Sequence, residues 1–180
     1  MSALLTRPLI FDTTPLIYII KASLSEALRK LQNQKLLPET VYEELMVGEA
    51  RGKPEATVIR ELVEEAAFIL TRPHSALLVK RLMKIAVEDE NKPLHRAEAE
   101  ALAIAKELDG ILIADDHAAR STAKLMQVEC HGTGYLLGRM YQEGEIPRDE
   151  AIRKLTEMRR EGWRLSEDDY RTILDYLRTL

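Results

Sequence analysis

One cysteine in 180 residues excludes an internal disulfide, so this chain must hold its fold without covalent cross-links. That economy fits a reducing compartment. Cys130 itself reads as a small buried apolar residue at a strand end rather than as a nucleophile. No apolar run approaches the ~18 residues that would mark a membrane span. The opening MSALLTRPLIFD has no basic segment followed by an apolar stretch and a cleavage site, so no secretory leader is expected. Together these absences set the expectation of a cytoplasmic protein with no membrane partner. Internal repeats, low-complexity tracts and Gly/Ser linkers are also lacking. So is a basic excess: 26 Lys and Arg stand against 30 Asp and Glu, a net charge of -4. That total looks wrong for a nucleic-acid binder, which needs a basic face for phosphates. A sum conceals distribution, however. Carboxylates gathered around a divalent cation leave the local site neutral or positive while the formal count stays negative.

What is present suits one compact domain. The chain is 46% hydrophobic and 31% charged, which excludes wholesale disorder, and it is long enough to bury a sizeable core. Apolar, β-branched segments alternate with helical ones. PLIFD reads as a first strand buried on both faces. Residues 25–31 read as a helix, and KLLPET as a second strand running into another helix. There Thr40 and Glu43 have capping-box spacing behind Pro38. Residues 55–65 carry a helical stripe of Val58, Ile59, Leu62 and Val63, continued by Ala66. AFIL is a third strand. Helices follow at 74–87 and 94–108, then GILIAD as a fourth strand, a helix at 117–125, and MQVEC as a fifth strand. Crossover helices between successive strands predict a parallel sheet wrapped by helices. Past Gly132 the pattern is helical throughout, at 135–141, 149–160 and 167–177. Asp149 is the expected N-cap of the second of these, with Gly162 after its end, and Ser166 and Asp169 form a capping box for the third. The expected organisation is a domain over 1–144 with a helical extension over 145–180 packed on it.

The chemistry resides in acids at strand ends and helix starts. Asp12 closes the first strand, and Asp115 and Asp116 close the fourth. Ligands of open parallel sheets bind at that carboxyl edge. A cap or turn role before Pro15 is the alternative for Asp12. Thr13 and Thr14 have hydroxyls that can orient its carboxylate. Glu98 lies three, four and seven residues before Ala101, Leu102 and Ala105, so it shares the apolar face of its helix. A carboxylate facing a core is rare unless paired or metal-bound. Glu100 falls on another side and reads as solvated. Glu43 is explained by its cap, whereas Glu44 borders the buried face beside Leu45. Asp116 is the first choice of metal ligand at the fourth strand and Asp115 the second, one of the adjacent pair being free to cap the following helix. Arg120 and Lys124 share a face of that helix within reach of phosphates, or they are simply solvated. Clustered carboxylates repel unless a cation sits among them, and oxygen donors suit Mg²⁺ or Mn²⁺.

These residues together resemble the PIN-domain family. The resemblance rests on FDTTPLI, PETVYEEL, EAEALAIA and ILIADD in order, with GTGYLLG after the fifth strand, and covers about residues 8–140. It implies a three-layer α/β/α sandwich around a mainly parallel five-stranded sheet, extended here by C-terminal helices. It further implies a metal-dependent endoribonuclease acting on single-stranded RNA. Relatives are often the toxin of a toxin-antitoxin pair, with an antitoxin protein as partner, and frequently form homodimers. Carried over by position, the acidic site is Asp12, Glu44, Glu98 and Asp116, with Asp115 as a further metal ligand. Glu98 stands where many relatives carry Asp, Ala97 where a Gly is common, and Ala114 where a Thr or Ser is common. The helical tail exceeds the usual toxin length. A catalytically weak RNA-binding or protein-interaction module is the alternative. Two other acid-bearing folds fit worse. The haloacid-dehalogenase-like phosphatase motif D-x-D-x-T lacks its second Asp here, and a receiver-like domain places its acid pair after the first strand.

Overall fold

The computed structural model describes residues 6–85 and 93–180. Five short strands form one all-parallel sheet: β1 (Leu9–Phe11), β2 (Lys35–Pro38), β3 (Ile69–Thr71), β4 (Ile111–Ile113) and β5 (Cys130–His131), in the spatial order β3-β2-β1-β4-β5. Leu9 pairs with both Lys35 and Ile111, so β1 is central. The strands alternate between two cores. Leu9, Phe11, Leu37, Ile111 and Ile113 face one apolar cluster, while Ile10, Leu36, Leu112 and Ala114 face the other. Helices therefore cover both faces, as an apolar parallel sheet requires, and the result is the expected α/β/α sandwich.

On one face lie α1 (Thr13–Lys21), α2 (Ser25–Lys30), α4 (Pro54–Glu64), α8 (Thr133–Gln142) and α9 (Arg148–Arg160). The opposite face carries α5 (Ala76–Leu82), α6 (Arg96–Glu107) and α7 (His117–Leu125). Helix α3 (Glu39–Ala50) follows β2, and α10 (Glu167–Thr179) packs on α8 and α9. The chain builds outward from β1 through β2 to β3, then returns to the other side of β1 as β4 and β5. This reversal makes the carboxyl ends of β1 and β4 a topological switch point, where open α/β sheets form their ligand crevice.

Several local expectations are corrected. Helix α1 is absent from the sequence pattern because Thr13, Thr14, Ile17, Ile19 and Ile20 are β-branched and read as extended. Pro15 is nevertheless harmless in a first turn, and Pro15, Leu16, Ile19 and Ile20 bury one side of the helix. The 74–87 helix is shorter, starting at Ala76 behind the Ser75 cap, whose side chain accepts from the Leu78 N–H at 3.1 Å; Val87 lies outside the described residues. Strands three and five begin later than expected, at Ile69 and Cys130. Helix α9 is capped by Pro147, with Asp149 inside its first turn instead of at the cap. Gly162 does follow its end at φ +94°. Ser166 caps α10 as expected, accepting from the Asp169 N–H at 3.0 Å.

Candidate active site

Asp12 sits at the switch point, in the peptide that follows β1. Its backbone N–H donates to the Ile113 carbonyl at 2.9 Å, which locks the ends of β1 and β4 together. Asp12 holds the N-cap position of α1, yet its carboxylate makes no side-chain cap bond there. Only 6% of the residue is exposed. Burial pushes its pKa up to about 7; the backbone N–H of Thr13 works against this, and the charges of Glu98, Asp116 and Asp115 add to it. A buried carboxyl surrounded by three other acids resists ionisation, because each added negative charge raises the cost of the next. The Thr13 hydroxyl does not orient Asp12 as expected. Its Oγ1 is enclosed and has no hydrogen-bond partner among the described residues.

Glu98 arrives from the opposite layer. As the third residue of α6 it closes a capping box with His95, its Oε2 accepting from the His95 N–H at 2.8 Å. It is half-buried rather than core-facing, and its charge is felt at Asp12. The correction concerns Glu100, expected in solvent but only 6% exposed. Its Oε2 accepts from Thr40 Oγ1 at 2.8 Å and its Oε1 from Arg96 Nε at 2.8 Å. Helical periodicity failed here because α6 is buried almost all round, from Ala99 through Ala105, and such a helix has no polar face to read.

Thr40 is thus spent on Glu100, and no capping box with Glu43 forms; Pro38 is the cap residue of α3. Thr40→Val is expected to cost ~1–3 kcal/mol, because a buried carboxylate loses a donor, with little effect on Asp12. Urea unfolding of the variant checks this. Glu43 and Glu44 are both exposed. Glu44 is three residues after Val41 and next to Leu45, the buried residues of α3, so it borders the buried stripe as expected, with its own side chain exposed. The charges that act most strongly on Asp12 are those of Glu98, Asp116 and Asp115.

The adjacent acids after β4 divide their work. Asp116 is the N-cap of α7, its Oδ1 accepting from the Ala119 N–H at 3.1 Å. Asp115 turns the other way. Its Oδ1 accepts from the Thr133 N–H at 2.8 Å, and its Oδ2 accepts from Thr133 Oγ1 at 2.7 Å and Trp163 Nε1 at 3.1 Å. A side chain at Gly132 would place its Cβ 2.7 Å from Asp115 Oδ1, so that glycine is needed for close approach. Burial raises the pKa of Asp115, against the pull of these three donors and of Arg120. Trp163 is buried, its ring 6.1 Å from that of Tyr18, whose hydroxyl donates to the Gly162 carbonyl at 2.9 Å. A continuous tie therefore runs from α1, through the turn after α9, to the end of β4. Thr133 and Trp163 were missed in the sequence. The available signal was a lone Trp in a charged tail and a Thr directly after a strand-end Gly.

Arg120 and Lys124 are exposed on α7 and border a hollow of about 630 Å³ together with Asp115, His117 and Ser121. A second hollow of about 530 Å³ shares Asp115 and Arg120 with it and extends to Trp163 and α10. A third, about 730 Å³, lies toward α3 and α5 and is lined by Arg72, Lys80, Arg96 and Glu100. It is larger, but it does not include the Asp12 cluster. Cys130 is half-buried, with its thiol pushed up to about 11 by burial, so it stays protonated at neutral pH.

Fold and site together define a three-layer α/β/α protein with an acidic ligand edge at its switch point. A family profile described as a PIN domain matches residues 8–179, nearly the whole chain, and the chain belongs to the PIN-domain family. That family is nuclease-like in general, and its members typically use divalent metal ions. No curated protein matches the chain. No helix among the described residues is long and apolar enough to cross a membrane.

The donor set suits such an ion. Asp12, Glu98 and Asp116 offer only oxygen, the ligand type of hard cations, and the Asp12 carboxyl is held near pKa 7 by burial, with the charges of Glu98, Asp116 and Asp115 adding to it. The enclosed, unpartnered Thr13 hydroxyl beside it points the same way. Among the described residues no three His, Cys, Asp or Glu side chains already converge at ligating distance.

Proposed function

We propose that the protein is a metal-dependent ribonuclease that hydrolyses RNA phosphodiester bonds at the β1/β4 edge, using Mg²⁺ or Mn²⁺. The observation that carries this reading is Asp12: a buried carboxyl pushed up to about 7, with Glu98, Asp116 and Asp115 around it at the switch point. Such a cluster is costly to fold and is relieved by a hard divalent cation. When bound, that cation supplies Lewis-acid polarisation of the phosphate and activation of water. Asp12 and Asp116 are assigned to hold it, with Glu98 reaching in from α6. Asp115, saturated by Thr133 and Trp163, fixes the loop that presents Asp116. Arg120 and Lys124 bind phosphates of the substrate strand, offsetting the acids. Glu44, exposed on α3 just after β2, is assigned to complete the acidic set.

The test is cleavage of a mixed-sequence single-stranded RNA by the purified chain in Mn²⁺ or Mg²⁺ against EDTA. Cleavage that requires the metal and is lost in Asp116→Asn supports the reading, and cutting in EDTA sinks it. A toxin role adds a separate expectation: growth arrest on expression of the wild type, absent for the same variant.

A further inference from the structure

The two hollows that meet at Asp115 form one trough, and its walls differ in chemistry along its length. Toward α7 it is polar and cationic, with Arg120 and Lys124. Toward α10 it is ring-lined: His131 and Tyr135 are stacked at 4.2 Å and 9°, and Trp163 and Tyr176 complete the wall with Ile173. Arg164 stands exposed at this end. No salt bridge among the described residues engages Arg120, Lys124 or Arg164. Two glycines of α8 set how closely α10 can sit. A Cβ at Gly134 would come within 2.7 Å of Ile173, and one at Gly138 within 2.5 Å of the Tyr176 ring. The α10 wall is thereby held against α8 by a built contact, not by a loose tail.

We propose that the hollow between α8 and α10 receives one base of a single-stranded nucleic acid whose phosphates run along Arg164, Arg120 and Lys124. This rests on the nuclease reading and extends it to substrate recognition. A volume of about 530 Å³ suits a small planar ligand. Cations on a groove combined with aromatic rings are what an unpaired strand requires: charge for its backbone and ring faces for its bases. Three cations, Arg120, Lys124 and Arg164, stand against two carboxylates, Asp115 and Asp169, along the trough of a chain whose net charge is -4, and phosphates are the ligands that this local cationic excess complements. Because Asp115 floors both hollows and adjoins Asp116, a base held here places the adjoining backbone over the acidic edge. A stacked base pair does not fit, since a base must leave its duplex to enter a pocket.

Trp163 is the only tryptophan in the chain and lines this hollow, so its fluorescence reports occupancy directly. The experiment titrates full-length Asp12→Asn protein, in EDTA, with ten-nucleotide oligouridylate, its deoxy counterpart and a blunt duplex of equal length. Saturable quenching by a single strand is expected, and the ribo and deoxy arms show which sugar is accepted. Thr172→Phe, which narrows the hollow from an exposed position on α10, and Arg164→Glu should each weaken binding at least tenfold. Arg72→Glu, at the distant hollow, should change it less than threefold. Absent quenching, equal quenching by duplex, or equal weakening by Arg164→Glu and Arg72→Glu would overturn the proposal. The two readings fail separately: quenching by a protein that cuts nothing in Mn²⁺ sinks the nuclease and keeps the pocket. Metal-dependent cutting left unchanged by Thr172→Phe sinks the pocket and keeps the nuclease.

Discussion

Asp12→Asn is expected to abolish RNA cleavage and, in metal-free solution at pH 8, to raise the melting temperature by several degrees. The two effects share one cause. Burial raises the carboxyl from about 3.8 to about 7, so between those pH values the folded chain binds a proton that the unfolded chain has released. Stability without metal therefore falls as pH rises through this interval. At pH 8 the penalty is on the order of 4 kcal/mol, and a protein of this size shifts by ~2–4 °C per kcal/mol. Asparagine keeps the shape and removes the charge, which also relieves Glu98, Asp116 and Asp115, the acids that face it. A divalent cation should stabilise the wild type at pH 8, do little at pH 5 where the proton competes, and leave Asp12→Asn unmoved at both. Thermal melts at the two pH values, with EDTA or Mg²⁺, give the full comparison. Identical pH profiles for parent and variant would remove Asp12 from the centre of the argument.

The second large effect is expected at Trp163. Replacement by Ala should destabilise by ~3–5 kcal/mol, the usual cost of deleting a large buried ring, since Trp163 is 4% exposed and belongs to the core. Trp163→Phe separates packing from hydrogen bonding. It keeps most of the ring and removes only the donor to Asp115 Oδ2, leaving that oxygen with Thr133 Oγ1. A loss of ~1–3 kcal/mol is expected from the weakened buried carboxylate. Cleavage should fall as well, because Asp115 directs the loop that carries Asp116. Urea unfolding and cleavage kinetics on Trp163→Phe and Trp163→Ala measure both. If Trp163→Phe matches the parent in both, the indole contributes packing alone and the tie from the turn after α9 to the acidic edge is not functional.

Sequence alone determined the class of this protein. Apolar strands such as LIF and ILI, buried on both faces, could belong only to a sheet covered by helices on each side, and acids at their ends had to fall on one edge. The placement of Asp12 and Asp116 on that edge was legible because a strand-end position depends on local pattern and chain direction. Tertiary structure decided which helical acids reach that edge. Glu98 and Glu100 are two residues apart on α6, a helix surrounded by protein, where an apolar stripe has no polar counterpart to set its phase. Only the packing of α3 against α6 shows that Glu100 is taken by Thr40 and Arg96. Glu44 is a related case, since Val41 and Leu45 define too narrow a stripe to fix the direction of its neighbours. The role of Asp115 was out of reach for a different cause: its partners Thr133 and Trp163 lie 18 and 48 residues away. Hydrogen bonds over such separations leave no periodic mark on a chain, and only the fold brings their ends together.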